Sequence, residues 1–135
     1  MKCVVIVNEE LPAGLAANTA AALGISLASV VEGLTGENLE DGEGRIHAGI
    51  TSIPIPILCL PPEELKKHYN ALLESSHEDL RIIGFSRIAQ GSRNYEEYAA
   101  KLKATSRNNI DYAGFCLYGP KKKINKLTGN IKMFR

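Results

Sequence analysis

Residues 2–8, KCVVIVN, constrain the fold more than any other stretch, because nearly every side chain in them is apolar and many are β-branched. A strand with one wet face alternates apolar and polar residues; one without alternation expects cover on both faces and the centre of a sheet. The helical pattern that follows, LPAGLAANTAAALGISLASVV (11–31), opens on Pro12, where a first helical turn tolerates proline. Its many Ala and Gly residues let another backbone approach closely. Gly14 and Gly24 each cost a helix about 1 kcal/mol relative to Ala, so packing or a site is expected to explain them.

The same alternation continues. GLTGENLEDGEG (33–44), with four glycines and four acids, reads as a loop, and RIHAGITS adds a short edge strand at 46–50. IPIPILCL (53–60) reads as a strand entering from a rim, since its prolines limit hydrogen bonding at its start. PPEELKKHYNALLESS starts a helix with early proline and acids on the positive dipole end, with Leu65, Tyr69, Leu72 and Leu73 on one face. DLRIIGFS (79–86) is a third strand and SRIAQGSRN a surface loop. YEEYAAKLKAT (95–105) is an amphipathic helix with Tyr95, Tyr98, Ala99 and Leu102 in register. IDYAGFCLYG (110–119) is a fourth strand, broken by Gly119-Pro120. A last helix runs to Leu127, with Gly129 in the C′ position. Strands alternating with helices predict a three-layer α/β/α domain on a small mixed sheet of about four strands, one domain over 1–135.

Totals narrow the function classes. The 135 residues suffice for a core without staples. No apolar run approaches the roughly 20 residues of a membrane span, and MKCVVIVNEELP lacks a small-residue cleavage site, so a cytoplasmic protein off the membrane is expected. Cys3, Cys59 and Cys116 are odd in number, widely spaced and in apolar surroundings, which predicts buried free thiols. His47, His68 and His77 lie at unrelated spacings, so no metal or cofactor is implied; His68 reads as a helix-surface residue. Residues 1–64 carry nine acids and two bases, −7, whereas residues 65–135 carry fourteen bases and six acids, +8. That asymmetry suggests an anion-seeking side.

Catalytic templates fit poorly. Gly84-Phe85-Ser86-Arg87-Ile88 begins like a nucleophile elbow but lacks the second glycine, and no histidine follows His77 to complete the usual order. A Cys–His pair using Cys116 stays open. Phosphate-cradling glycine motifs are absent. Strand ends remain the natural place for a site in an α/β sheet, and they offer Asn8, Glu9, Ser86, Arg87 and Gln90, beside Asn18 and Thr19 of the first helix. Asn8 also suits a turn, and Arg87 either a bidentate anion contact or a solvated loop. Lys121, Lys122 and Lys123 stand in the first turn of the last helix, where they oppose its dipole. Either they form a solvated face, or they converge with free N–H groups on an anion.

VVIVNEEL with the Ala-rich GLAANTAAAL, and the closing LYGPKKKINKLTGNIKMF, resemble the second-type (archaeal and eukaryotic) peptidyl-tRNA hydrolases, and the order of elements between them fits that family. The resemblance implies a mixed four-stranded sheet between helices, a site at the first helix's N-terminus, and ester hydrolysis releasing peptide from tRNA. That family carries a lysine and, four residues on, a glutamine in the first helix; those positions fall on Gly14 and Asn18 here. Arg87 stands where its acid would be, and 88–109 resembles an insertion. Without cation and carboxylate the obvious means of polarising an ester are gone. The pattern is closer to the uncharacterised group called domain of unknown function 2000.

Three functional expectations follow. The leading one is a hydrolase-like domain of unassigned activity, with Asn18, Thr19, Ser86 and Arg87 as catalytic candidates and Asn8, Glu9, Gly14 and Gln90 lining the site. The second is true peptidyl-tRNA hydrolysis with substituted residues. The third is a non-catalytic module binding tRNA or a small anionic ligand through Lys121, Lys122 and Lys123. The Ala/Gly-rich surface and the edge strand at 46–50 would suit a homodimer.

Overall fold

The computed structural model describes residues Met1–Arg135. In chain order the elements are β1 (Lys2–Asn8), α1 (Ala13–Val30), β2 (Leu39–Glu40), β3 (Ile46–His47), β4 (Ile57–Leu60), α2 (Pro62–Glu74), β5 (Arg81–Ser86), α3 (Arg87–Gln90), α4 (Tyr95–Lys103), β6 (Tyr112–Gly119) and α5 (Lys121–Thr128). Four strands form one sheet in the order β4-β1-β6-β5, with β1 parallel to β4 and β6 antiparallel to both β1 and β5. The mixed four-stranded sheet is therefore present. Strands β4, β1 and β5 share a direction, so Leu60, Asn8 and Ser86 end them at one end of the sheet.

The unalternating β1 has the two-sided burial its composition demands. Cys3, Val5 and Val7 face α1 and pack with Leu23, Leu27 and Cys116. Val4 and Ile6 face the other way, with Phe115, Leu65 and Leu72 of α2, and Ile124 of α5. Gly114 is what seats α1 closely. A Cβ there would stand 2.6 Å from the Ile6 carbonyl oxygen and 2.8 Å from Thr19 Cγ2. Pairing between β5 and β6 passes from Phe85–Gly114 to Ser86–Tyr112, skipping Ala113, so a bulge falls where the chain leaves β5 for α3.

Several expectations need correction. SRIAQGSRN is not all loop: Ser86 accepts from the Ala89 N–H and caps α3. The 33–44 loop contains β2, which pairs only with β3, so the strand expected at 46–50 is two residues of a separate hairpin rather than an edge of the main sheet. The strand expected over 53–60 is confined to Ile57–Leu60, because Pro54 and Pro56 cannot donate to a ladder. The free side of β4 is occupied by the chain's own tail: Cys59 N–H donates to the Lys132 carbonyl and Phe134 N–H to that of Ile57. Leu73 and Tyr95 are exposed, at 52% and 81%. Gly129 ends α5 in right-handed geometry, φ −60° and ψ −25°, not as a left-handed cap.

Helix α1 also differs from the sequence-based expectation about membranes. Its 18 residues carry no charge and have a mean hydropathy of 1.5, long and apolar enough to cross a bilayer by length and composition. In the fold it is the covering helix of one sheet face, with Ala16, Thr19, Leu23 and Leu27 buried.

Candidate functional site

The sequence-based site residues divide into two groups at opposite ends of the sheet. Asn8, Glu9, Gly14, Asn18, Thr19, Ser86, Arg87 and Gln90 gather around the end where β1 and β5 stop. Lys121–Lys123 follow Gly119, which pairs with Lys2 at the start of β1. Six residues of strand separate Lys2 from Asn8, about 20 Å.

At the first end, α1 begins without a cap. Pro12 precedes it, no side chain caps it, and its first turn has no acid. Ala16 N–H is the first to bond back, to the Pro12 carbonyl, so Ala13, Gly14 and Leu15 keep the free N–H groups of a helix start. Gly14 is exposed, and a Cβ on it would meet nothing within 4 Å. Nothing inside the chain thus requires a glycine there, and the approach to the free N–H groups is open.

Gln90 organises this turn from 75 residues away. Its Nε2 lies 3.0 Å from the Leu15 carbonyl oxygen, 3.2 Å from Asn18 Oδ1 and 3.0 Å from Thr19 Oγ1. Thr19 donates its own hydroxyl hydrogen to Leu15 O at 2.8 Å, so towards Gln90 it acts as acceptor. With three acceptors around one nitrogen, the amide orientation of Gln90 is fixed. Its oxygen is buried and has no partner. Asn18, exposed one helical turn beyond Gly14, has its oxygen engaged and its amide hydrogens left over. Within the first turn of α1 and at Asn18 the free groups are therefore donors, three backbone N–H groups and the Asn18 amide, while the exposed carboxylates Glu9 and Glu10 precede the helix.

The other candidates are differently employed. Asn8 is buried and accepts from the Glu10 N–H, closing the turn into α1. Glu9 lies 4.0 Å from Lys132. Ser86, 5% exposed, is spent on capping α3, and Thr19 is fully buried. Arg87 is exposed; its backbone N–H donates to the Asp111 carbonyl. The Asp111 carboxylate pairs with Lys66 at 3.2 Å. No histidine serves this cluster: His47 bonds Asp41 in the hairpin, His68 is exposed on α2, and His77 precedes β5 at the far end. The Cys116 thiol is fully buried and pushed up to about 12, first by burial, which removes the Cys–His alternative. Cys3 and Cys59 are also buried and free.

At the opposite end, Lys123 is not a free cation: its ammonium meets the Asp79 carboxylate at 2.5 Å. Lys121 and Lys122 are exposed. Lys2 completes that end by donating to Asn125 of α5 at 2.7 Å. Composition had not shown that the first turn of α1 would contribute backbone donors. The available signal was a helix start behind Pro12 with no Ser, Thr, Asp or Asn to cap it.

The whole chain, residues 1–135, matches the family model described as protein of unknown function (DUF2000). A solved structure, that of the protein of unknown function Atu0240 from Agrobacterium tumefaciens str. C58, superposes with a TM-score of 0.86 at 20% identity, covering 99% of this chain and 97% of the other. At that identity the likeness shows the fold alone. No curated protein matches the sequence.

Proposed function

We propose that this chain, which belongs to the DUF2000 family, is a binding domain for an anionic group, a phosphate or a carboxylate, held at the N-terminus of α1. The observation that carries the reading is the all-donor turn, where uncapped N–H groups meet an Asn18 amide whose oxygen is tied to Gln90. A helix start of this kind attracts negative charge through both its N–H groups and its dipole. The same cluster supplies no free hydroxyl nucleophile, because Ser86 and Thr19 are buried and bonded, and its carboxylate, Glu9, faces Lys132. Binding therefore fits it better than turnover. The resemblance to second-type peptidyl-tRNA hydrolases makes a tRNA phosphate one natural source of the anion.

The test is an amide NMR titration with inorganic phosphate and, separately, with a tRNA at low salt. Saturable shifts are expected at Ala13, Gly14, Leu15 and the Asn18 side chain. Gly14→Glu puts a carboxylate in the first turn, which stabilises the helix by roughly 0.3–1 kcal/mol while competing with the ligand. That variant should be at least as stable and bind at least tenfold more weakly. Shifts confined to Lys121 and Lys122 would overturn the proposal. So would single-turnover cleavage of a peptidyl-tRNA that disappears in Asn18→Ala, which would restore the hydrolase reading.

A further inference from the structure

A second site lies farther along α1. Between the helix's C-terminal half and the segment 34–55 is a cavity of about 120 Å³. Its floor is Cys3, Val5, Leu23, Leu27 and Cys116, all at most 3% exposed. Ile55, Thr35 and Thr51 stand at an exposed rim, and no charged side chain lines it. The rim is built in advance. Thr35 and Thr51 bridge through their backbones, and Ser52 donates both its N–H and its hydroxyl to the Leu34 carbonyl.

The wall from α1 is Ala20, Gly24 and Ala28, one position per turn on a single strip. Gly24 is the informative residue. In a helix interior it costs about 1 kcal/mol relative to Ala. A Cβ on Gly24 would meet nothing within 4 Å, so no close neighbour inside the chain accounts for that cost. The missing side chain instead enlarges the cavity. Gly24 lies ten residues from Gly14, about 15 Å along the helix, so the space is separate from the anion site.

We infer that this cavity is a binding site for a small apolar molecule or group of about six carbon atoms, an aromatic ring or a short branched chain. Size and lining support that class: a dry cavity of about 150 Å³ walled by aliphatic and aromatic side chains takes up benzene or xenon. A charged ligand would lose its hydration with no partner in return. The two floor thiols suit an apolar guest as well. Burial holds Cys3 up to about 11 and Cys116 up to about 12, so both are neutral near pH 7 and act as small polarizable walls.

The experiment is methyl-resolved NMR of the full chain with benzene as the probe. Saturable shifts are expected at Leu23, Leu27 and Ile53, with the Ala13–Leu15 amides unmoved. Gly24→Phe, which fills the space, should weaken the response at least tenfold. Ala28→Leu, a smaller change at the rim, should weaken it in the same direction and covers the case in which the phenylalanine variant does not fold. Absence of saturable shifts in the natural chain overturns the inference, as does an undiminished response in a folded filled variant. Methyl shifts that grow with protein concentration and without benzene would also overturn it, by showing that a second copy's side chain is the occupant.

Discussion

Replacing Gln90 tests the organisation of the anion site most directly. One amide nitrogen has two hydrogens, yet Gln90 Nε2 stands within 3.2 Å of three acceptors, so its contacts amount to about two hydrogen bonds shared among them. At about 1 kcal/mol net for each bond, their loss costs about 2 kcal/mol. Gln90→Ala also removes the buried, unpartnered amide oxygen, which returns about 1 kcal/mol. The net expectation is about 1 kcal/mol of destabilisation. Unfolding entropy near 2.1 cal/mol/K per residue converts that to a Tm lower by about 3–4 °C for a chain of this length. Gln90→Glu behaves differently, because it keeps the shape but sets a carboxylate oxygen against the same three acceptors. Nothing is relieved, and the cost should reach about 3 kcal/mol. Urea unfolding followed by circular dichroism gives both values, and the Asn18 side-chain amide resonances report whether that group has lost its orientation. If Gln90→Glu is no less stable than Gln90→Ala, the nitrogen does not face three acceptors, and the all-donor description of the turn fails with it.

Three further outcomes are expected. Gly114→Ala should cost about 1–3 kcal/mol in urea unfolding, since the new methyl meets both the Ile6 carbonyl and Thr19 and must push α1 off the sheet. Cys3 and Cys116 should resist a thiol reagent at pH 8 in the folded chain and react in urea. Their folded pKa values lie above the ordinary 9.0, so unfolding is increasingly favoured as pH rises from 9.0 through about 11 and 12, and the stability they confer is intact below 9.0. Glu97 is held down to about 2, first by its hydrogen bond from Lys101 and then by those from Arg93. A carboxyl carbon titration should find it there, and its contribution to α4, present above 4.5, should fade as pH falls towards 2.

The sequence was legible where burial is two-sided or strongly periodic. KCVVIVN could only be a central strand, and its neighbours Ile57–Leu60 and Tyr112–Gly119 show the same apolar density. Short elements escaped: α3 has four residues, too few for a helical period, and its cap Ser86 doubles as the end of β5. In α1 nearly every side is apolar or small, so no pattern could say which stripe faces the sheet. Tertiary contacts decide that, above all the close approach of Thr19 to Gly114. In the candidate site, the residue types were visible but not their grouping. Asn18 and Gln90 are 72 positions apart, and only the packing of α3 beside α1 brings them together. The same packing spends Ser86 and Thr19 on internal bonds, which their hydroxyls in the sequence gave no means of foreseeing.

The two ends of the sheet should also answer salt differently. At the α1 end the donors are neutral, three backbone N–H groups and an amide, and Arg87, the cation among the candidate residues there, is exposed. Lys132 faces Glu9. An anion held there displaces few counterions, so its affinity should depend weakly on ionic strength. At the α5 end, Lys123 is already engaged by Asp79, which leaves Lys121 and Lys122 to meet a polyanion. Two phosphate contacts would give a log–log salt slope near −2 on a duplex and somewhat less on a single strand. A ligand bound chiefly by the lysines would thus weaken steeply between low and physiological salt, while one seated on α1 would not. The asymmetry of charge along the chain, −7 before residue 65 and +8 after, does not by itself choose between them. The direction of the strands keeps the two apart, putting the uncharged donors at one end and the lysines at the other.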